Sequence, residues 1–432
     1  QILCRAKAAK KTEGRPHSPS PPSRPSRDIL YFTAWHLRST DMRVAHVITR
    51  LIVGGAQENT IASVLGLRQK PGLEVSLISG PTTGPEGTLE PRVAGIPGLL
   101  TIVPELIRPV SPWHDWLALR KLTALFRAQR PDLVHTHSGK AGVLGRLAAH
   151  AAGVPLIVHT IHGPSFGPFQ GALANFAFRA AERRAGRVTT HFVSVANAMT
   201  EQYLAAGIGR PEQYTRIFSG FDLDPFLNAK NDTALRAKLG IGPEDFVVGK
   251  VARMFEHKGH FDLIAAVSIL ARQHPRLKLL LVGDGNLRGP LEALVRSGPG
   301  AEWLRDRVIL AGLVRPEEVP GYIGIMDAVV HLSRREGLAR VLPQALAVGK
   351  PIVAFDCDGA REVCLDNETG FLVKSGNVEA AAHWLGELIK QPVLCERLGT
   401  RGRELVKEWF PTQRMVDDLH ALYLRLQAEA KR

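Results

Sequence analysis

The stretch AVVHLSRREGLARVLPQALAVG, residues 328–349, contains one complete strand, loop and helix. Ala328–Leu332 is a nearly continuous apolar run, as expected of a strand buried on both faces of a parallel sheet. The polar loop after it reaches Glu336-Gly337, and the helical spacing beyond returns Gln344 eight residues after Glu336, about two turns on. Open α/β sheets bind ligands outside the carboxyl ends of their strands, so Glu336 and Gly337 fall where chemistry is expected. A carboxylate there suits hydroxyl recognition; the competing reading is a charge that only steadies a helix start.

Moving outward, the same grammar repeats. Phe246–Val251, Leu277–Val282, Val308–Ala311 and Pro351–Ala354 are further apolar runs with helical stretches between them. Upstream, Val44–Ile48, Glu74–Ile78, Asp132–His135, Leu156–His159 and Phe192–Val195 alternate with amphipathic segments such as Ala56–Leu67, Trp113–Ala128 and Lys140–Ala152. The fold class is therefore α/β, with two doubly wound parallel-sheet (Rossmann-like) domains and an interdomain cleft. The expected organisation is a disordered extension over 1–41, a first domain over 42–225, a second over 226–410, and a terminal helix over 411–432. The extension is assigned from KTEGRPHSPSPPSRPSRD at 11–28, which cannot bury apolar surface, and Met42 is read as the start of translation.

Bulk properties narrow the function. No apolar run approaches the roughly 18 residues of a membrane helix, and no export signal is apparent, so the expected location is cytoplasmic, with the inner face of a membrane as a candidate docking surface. The four cysteines show neither C-x-x-C pairing nor metal-ligand spacing. Net charge is +14, and residues 1–41 hold 8 Lys and Arg against 3 Asp and Glu. Anionic lipid, nucleic acid and plain solubility would each account for that excess, but no helix-turn-helix, stacking motif or zinc finger supports nucleic-acid readout, so no nucleic-acid partner is expected.

Two further loops follow strands. Gly54-Gly55 opens a helix after the first strand, where a tight turn and a phosphate cradle would use the same residues. Arg253 and Lys258, five apart after the first strand of the second domain, can converge on a diphosphate, the Arg as a fork and the Lys as a point charge. Two solvated surface cations is the competing reading.

With His162-Gly163 after a strand and the Gly283-Asp-Gly285 turn, these elements stand in the order of one family. Residues 42–432 resemble glycosyltransferase family 4, retaining enzymes of GT-B fold. The resemblance implies a nucleotide diphosphate-sugar donor and an acceptor that is a glycan or lipid-linked molecule. It implies that Arg253 and Lys258 hold the diphosphate in place of a metal ion, so no cofactor and no metal are expected. Glu336 would bond the donor sugar, the amides of Gly337 and Leu338 would meet the phosphates beside Gly54, Gly55 and Gly285, and Gln344 would face the ribose. Val314 and Arg315 would lie along the base, and His162 would sit at the reacting face. The catalytic set is thus Glu336, His162, Arg253 and Lys258.

The chain departs from the family at Gln344, where a second Glu is usual; a Gln keeps hydrogen bonds to ribose but loses their charge-assisted part. Asp356-Cys-Asp358 imitates a D-x-D metal motif outside its structural context. His137 is a candidate cleft residue or a satisfied core histidine, and Arg179, Arg183, Arg184 and Arg187 form a basic cluster that anionic lipid would attract. The expected function is retaining transfer of a sugar, from UDP in preference to GDP, in polysaccharide or glycolipid synthesis. A nucleotide-sugar epimerase, a phosphorylase and a weakened basic adaptor at a membrane are the alternatives.

Overall fold

The structure is a computed structural model that describes residues 41–84, 87–167 and 169–432; all but the last residue of the extension expected over 1–41 lies outside the described residues. Seven strands build the first sheet: β1 (Met42–Ile48), β2 (Leu73–Ser79), β3 (Leu100–Ile102), β4 (Leu133–His137), β5 (Leu156–Ile161), β6 (His191–Ser194) and β7 (Tyr214–Arg216). Their order is β3-β2-β1-β4-β5-β6-β7, parallel throughout.

Six strands build the second: β8 (Phe246–Val251), β9 (Leu277–Val282), β10 (Val308–Gly312), β11 (Ala328–His331), β12 (Ile352–Asp356) and β13 (Gly370–Lys374). Their order, β10-β9-β8-β11-β12-β13, repeats the first six positions of the other sheet. Central strands such as β4, β5 and β11 are buried at every residue, and the histidines and threonines that β4 and β5 carry are buried with them. The strands absent from the sequence reading, β3, β7 and β13, all lie at sheet edges.

In each sheet the chain winds outward in both directions from one strand pair, β1 with β4 and β8 with β11. The loops leaving those pairs diverge, and a crevice opens at their carboxyl ends. The two crevices line one cleft of about 1350 Å³.

The terminal helix Thr412–Ala430 follows the second domain in sequence but completes the core of the first. Met415, Val416, Leu419, Leu422, Tyr423 and Leu426 recur at helical spacing and are buried with β1, β2 and the helix Gly55–Leu67. Gly66 permits that approach, since a Cβ there would stand 2.3 Å from Val416 Cγ2. The chain crosses back where the Phe221 amide donates to the Phe410 carbonyl at 3.1 Å. A continuous apolar cluster that includes Met199, Phe218, Leu338 and Leu342 joins the two domains.

Candidate functional site

On the second domain's side, β8 is followed by Arg253 and a short turn, Glu256–Lys258, before the helix His260–Ala271. Gly259 makes the junction at φ 66°, and a Cβ there would meet the Leu332 carbonyl oxygen at 1.8 Å, so only glycine lets the β8 loop lie against the end of β11. That contact brings Lys258 onto Glu336. The two form an ion pair, and the same oxygen of Glu336, Oε1, accepts from Ser333 Oγ at 2.9 Å and faces His331 Nε2 at 3.2 Å. The Glu336 amide donates to Asp358 Oδ2 at 2.7 Å.

Burial alone would raise the Glu336 carboxyl, but the Lys258 ammonium and the His331 bond outweigh it and hold the group well below the usual carboxylate range. Burial pushes the His331 imidazole down to about 4. Beneath them Lys250, fully buried on β8, has no hydrogen-bond partner for Nζ among the described residues. Burial first, and then Lys258, push its ammonium down to about 7. The guanidinium of Arg253 lies over the Phe255 ring at 5.1 Å.

The first domain contributes Gly54-Gly55 at the start of the helix Gly55–Leu67, and His162 after β5. His162 Nε2 lies 3.0 Å from His137 Nδ1, and burial pushes its pKa down to about 3, so the ring is neutral at physiological pH. The two backbones nearly touch here. A Cβ on Gly337 would stand 2.0 Å from the His162 carbonyl oxygen.

Cross-cleft contacts reinforce this approach. Arg340 Nη1 binds Glu58 Oε2 at 2.5 Å, and the Arg340 side chain passes beside Gly55. Gln202 Nε2 donates to Asp358 Oδ1 at 2.5 Å, and Glu362 accepts from the Ala198 amide and from Arg216, both at 3.3 Å.

Among the sequence candidates, Gly54, Gly55 and His162 line the cleft from one side. Arg253, Lys258, Glu336, Gly337 and Leu338 line it from the other, joined by Val314 and Gln344. Gly285 and Arg315 are not among the lining residues. Gly285 packs behind the β8 loop, where a Cβ would meet the Met254 carbonyl at 2.5 Å, and Arg315 is 78% exposed and paired with Glu318. His137 is buried between His46 and His162. Asp356 pairs with Arg361 while Asp358 serves Glu336 and Gln202, so the two carboxylates face different partners. Arg340 and Glu58 carry no signal in the sequence; Asp358 does, within the D-x-D triplet, but as the imitation of a metal ligand and not as the acceptor of the Glu336 amide.

The family description "Glycosyl transferases group 1" matches residues 231–405, and "Glycosyl transferase 4-like domain" matches residues 54–219. A Mycolicibacterium smegmatis relative named GDP-mannose-dependent alpha-(1-6)-phosphatidylinositol monomannoside mannosyltransferase is 30% identical over 269 residues, 60% of this chain and 68% of that one. The chain belongs to the group 1 glycosyltransferases. This hexosyltransferase is also 26% identical, over 89% of its length and 97% of the other, to an Escherichia coli protein named UDP-Gal:alpha-D-GlcNAc-diphosphoundecaprenol alpha-1,3-galactosyltransferase. Its fold matches Anabaena HepE, solved with UDP, at a TM-score of 0.72 and 22% identity, covering 89% of this chain and all of that one. It also matches a sucrose-phosphate synthase from Thermosynechococcus elongatus at 0.73 and 22%, covering 90% of this chain and all of that one. The glycosyltransferase thus has the GT-B fold, two Rossmann-like domains around a cleft. Among its described residues no helix is long and apolar enough to cross a membrane.

Proposed function

We propose that the enzyme is a retaining transferase of the family 4 type that moves a hexose from a UDP-sugar to a lipid-linked glycan acceptor. The observation that carries this reading is the meeting of the two crevices: Arg253, Lys258 and Glu336 at the ends of β8 and β11 face Gly54, Gly55 and His162 of the first domain. The cleft exceeds the roughly 300–1,000 Å³ of a site for one small molecule, in keeping with a donor and the end of an acceptor together.

In this reading Arg253 and Lys258 meet the diphosphate and neutralise the charge that grows on it as the glycosidic bond breaks, with no metal required. Donor binding draws Lys258 off Glu336, which then accepts from sugar hydroxyls. The Gly337 and Leu338 amides face the phosphates, Gln344 the ribose, and His162 the reacting sugar. The acceptor hydroxyl attacks from the face the diphosphate leaves and passes its proton to a departing phosphate oxygen, so the protein supplies position and electrostatics.

The choice of UDP and of a lipid-linked acceptor is supported by the name of the Escherichia coli relative, which matches nearly end to end. Exposed apolar side chains support a lipid surface as partner. Leu173 is 82% and Phe176 70% exposed on the helix Ala172–Gly186, whose other end carries Arg183 and Arg184.

A panel of UDP- and GDP-hexoses, assayed for nucleoside diphosphate release with and without EDTA, tests donor and metal. The expected result is release from a UDP-sugar, unchanged by EDTA, and NMR of the product reads the anomeric outcome. Formation of a new nucleotide sugar without release would overturn transfer. Sedimentation with vesicles containing anionic lipid, against neutral ones, tests the membrane surface.

A further inference from the structure

His162 is the cleft end of a hydrogen-bonded chain that runs through the core of the first domain. His162 Nε2 lies 3.0 Å from His137 Nδ1, and His137 Nε2 lies 2.9 Å from His46 Nδ1. His46 Nε2 is 3.4 Å from the Tyr423 hydroxyl, which is 2.5 Å from His135 Nδ1, and His135 Nε2 is 2.6 Å from Thr160 Oγ1. Sheet geometry assembles the chain. His46 on β1 is in register with His135 on β4, and His137, two residues on, shares that face. Tyr423 is delivered by the terminal helix.

Burial pushes His46 and His162 down to about 3 and holds His135 and His137 well below the ordinary imidazole range, so all four rings are neutral at physiological pH. A neutral imidazole donates through one nitrogen and accepts through the other. His137, bonded at both nitrogens, must therefore give to one neighbour and take from the other, and the same holds for His46 and His135. Three proton arrangements satisfy every link: two run end to end in opposite directions, and in the third the Tyr423 hydroxyl accepts from both His46 and His135. Between His162 and Tyr423 they reduce to two: either His162 is protonated on Nε2 and its Nδ1 is an acceptor, or Nδ1 carries the proton.

We infer that His137 and His46, anchored by Tyr423, are positioning residues that fix the ring plane and the tautomer of His162. The inference rests on the reading of His162 as the residue facing the reacting sugar. It couples the terminal helix to the cleft, because the far end of the chain hangs on a hydroxyl which that helix supplies.

The same face offers a competing use. Ring nitrogens of His46, His135 and His137 lie within 4.8 Å of one another, close enough for a transition metal, which would take the nitrogens that the chain needs.

The test is ¹⁵N NMR of histidine-labelled full-length enzyme, free of substrate, on the parent, His137→Phe and Tyr423→Phe. The parent should show His162 as a single neutral tautomer. His137→Phe should leave His162 a mixture of tautomers and lower kcat about tenfold to a hundredfold, the scale of lost orienting partners at metal-bound histidines, with donor KM within about twofold. Tyr423→Phe removes one oxygen and keeps the packing, so it serves if His137→Phe fails to fold; it should lower kcat by a smaller factor while the protein stays folded, its melting temperature lower only by what the unpaired buried nitrogens cost. A tautomer mixture for parent His162 would overturn the inference. So would parent-like ¹⁵N shifts and kcat in the variants, or a zinc titration showing one tightly bound ion that shifts the His46, His135 and His137 resonances. The NMR result needs no turnover, so it stands apart from the transfer reading, which the donor panel tests by itself.

Discussion

The two crevices share a topology and differ in what fills them. Beneath the first, β1 and β4 carry His46, His135 and His137, all buried and held neutral. Beneath the second, β8 supplies Lys250, and the loops after β8 and β11 bring Lys258 against Glu336. One strand order has thus been given a neutral hydrogen-bonded support beneath one crevice and a charged support beneath the other. Charge acts most strongly in a site shielded from water, so in the proposed reading the charged support serves the diphosphate and the neutral one serves hydroxyls through His162. The division of labour is written in side chains, not in the backbone they share.

The sharpest way to break that division is Arg253→Ala. Losing a preorganised charge from the transition state typically costs about a hundredfold to a thousandfold in rate, so kcat/KM should fall by that order, with nucleoside diphosphate affinity falling too. His162→Ala should lower kcat with diphosphate affinity nearly unchanged. Calorimetric titration of UDP into both variants reads the contrast, and the reverse pattern would exchange the roles of the two sides.

Glu336→Gln comes next, with kcat/KM lower by about tenfold to a hundredfold as a charge-assisted bond to sugar becomes a neutral one. UDP affinity should hold or rise, because Lys258 loses its resident partner. The pH dependence has a definite sign. A carboxyl held below its unfolded value near 4.3 adds stability that is fully present above that pH and disappears as pH falls through the lower folded value. The parent's advantage over Glu336→Gln in thermal melts should therefore be constant from pH 6 to 8 and shrink only below about 4.

Much of this was legible in the sequence. The edges of β8 and β9 were read to the residue, because strands buried on both faces are unbroken apolar runs. The edge strands β3 and β7 have three residues each, too few to make a pattern. The terminal helix was visible, but its partner was not: its apolar stripe does not say which sheet receives it. The loops bearing Arg253 and Glu336 announced themselves by following strands. Asp358 and the Arg340–Glu58 pair did not, since the latter joins residues 282 apart and exists only through domain docking.

That pair offers a gentler probe. Glu58→Gln leaves the Arg340 guanidinium half-buried without its carboxylate, in the seam between the two domains. The expected outcome is a melting temperature lower by a few degrees and a donor KM raised about two- to fivefold, the scale of losing one partly exposed ion pair. A Glu58→Gln, Arg340→Met double variant should recover part of the melting temperature, because the stranded charge is gone.

The smallest effect belongs to Lys250, the one charged-side group buried without a hydrogen bond for its ammonium among the described residues. Its pKa is pushed from the ordinary lysine value down to about 7, so below pH 7 the folded protein must carry a charge that burial disfavours. Between pH 7 and about 10.5 the unfolded chain binds a proton that the folded one releases, and stability from this group rises with pH across that window. Lys250→Met keeps the length of the side chain and removes the titration. Its melting temperature should exceed the parent's by a few degrees at pH 6, and the gap should narrow steadily toward pH 10. A gap that is flat with pH would mean that Lys250 keeps its ordinary pKa, screened by Glu336 and Asp262. The two crevices would then differ in charge but not in how much strain that charge places on the core.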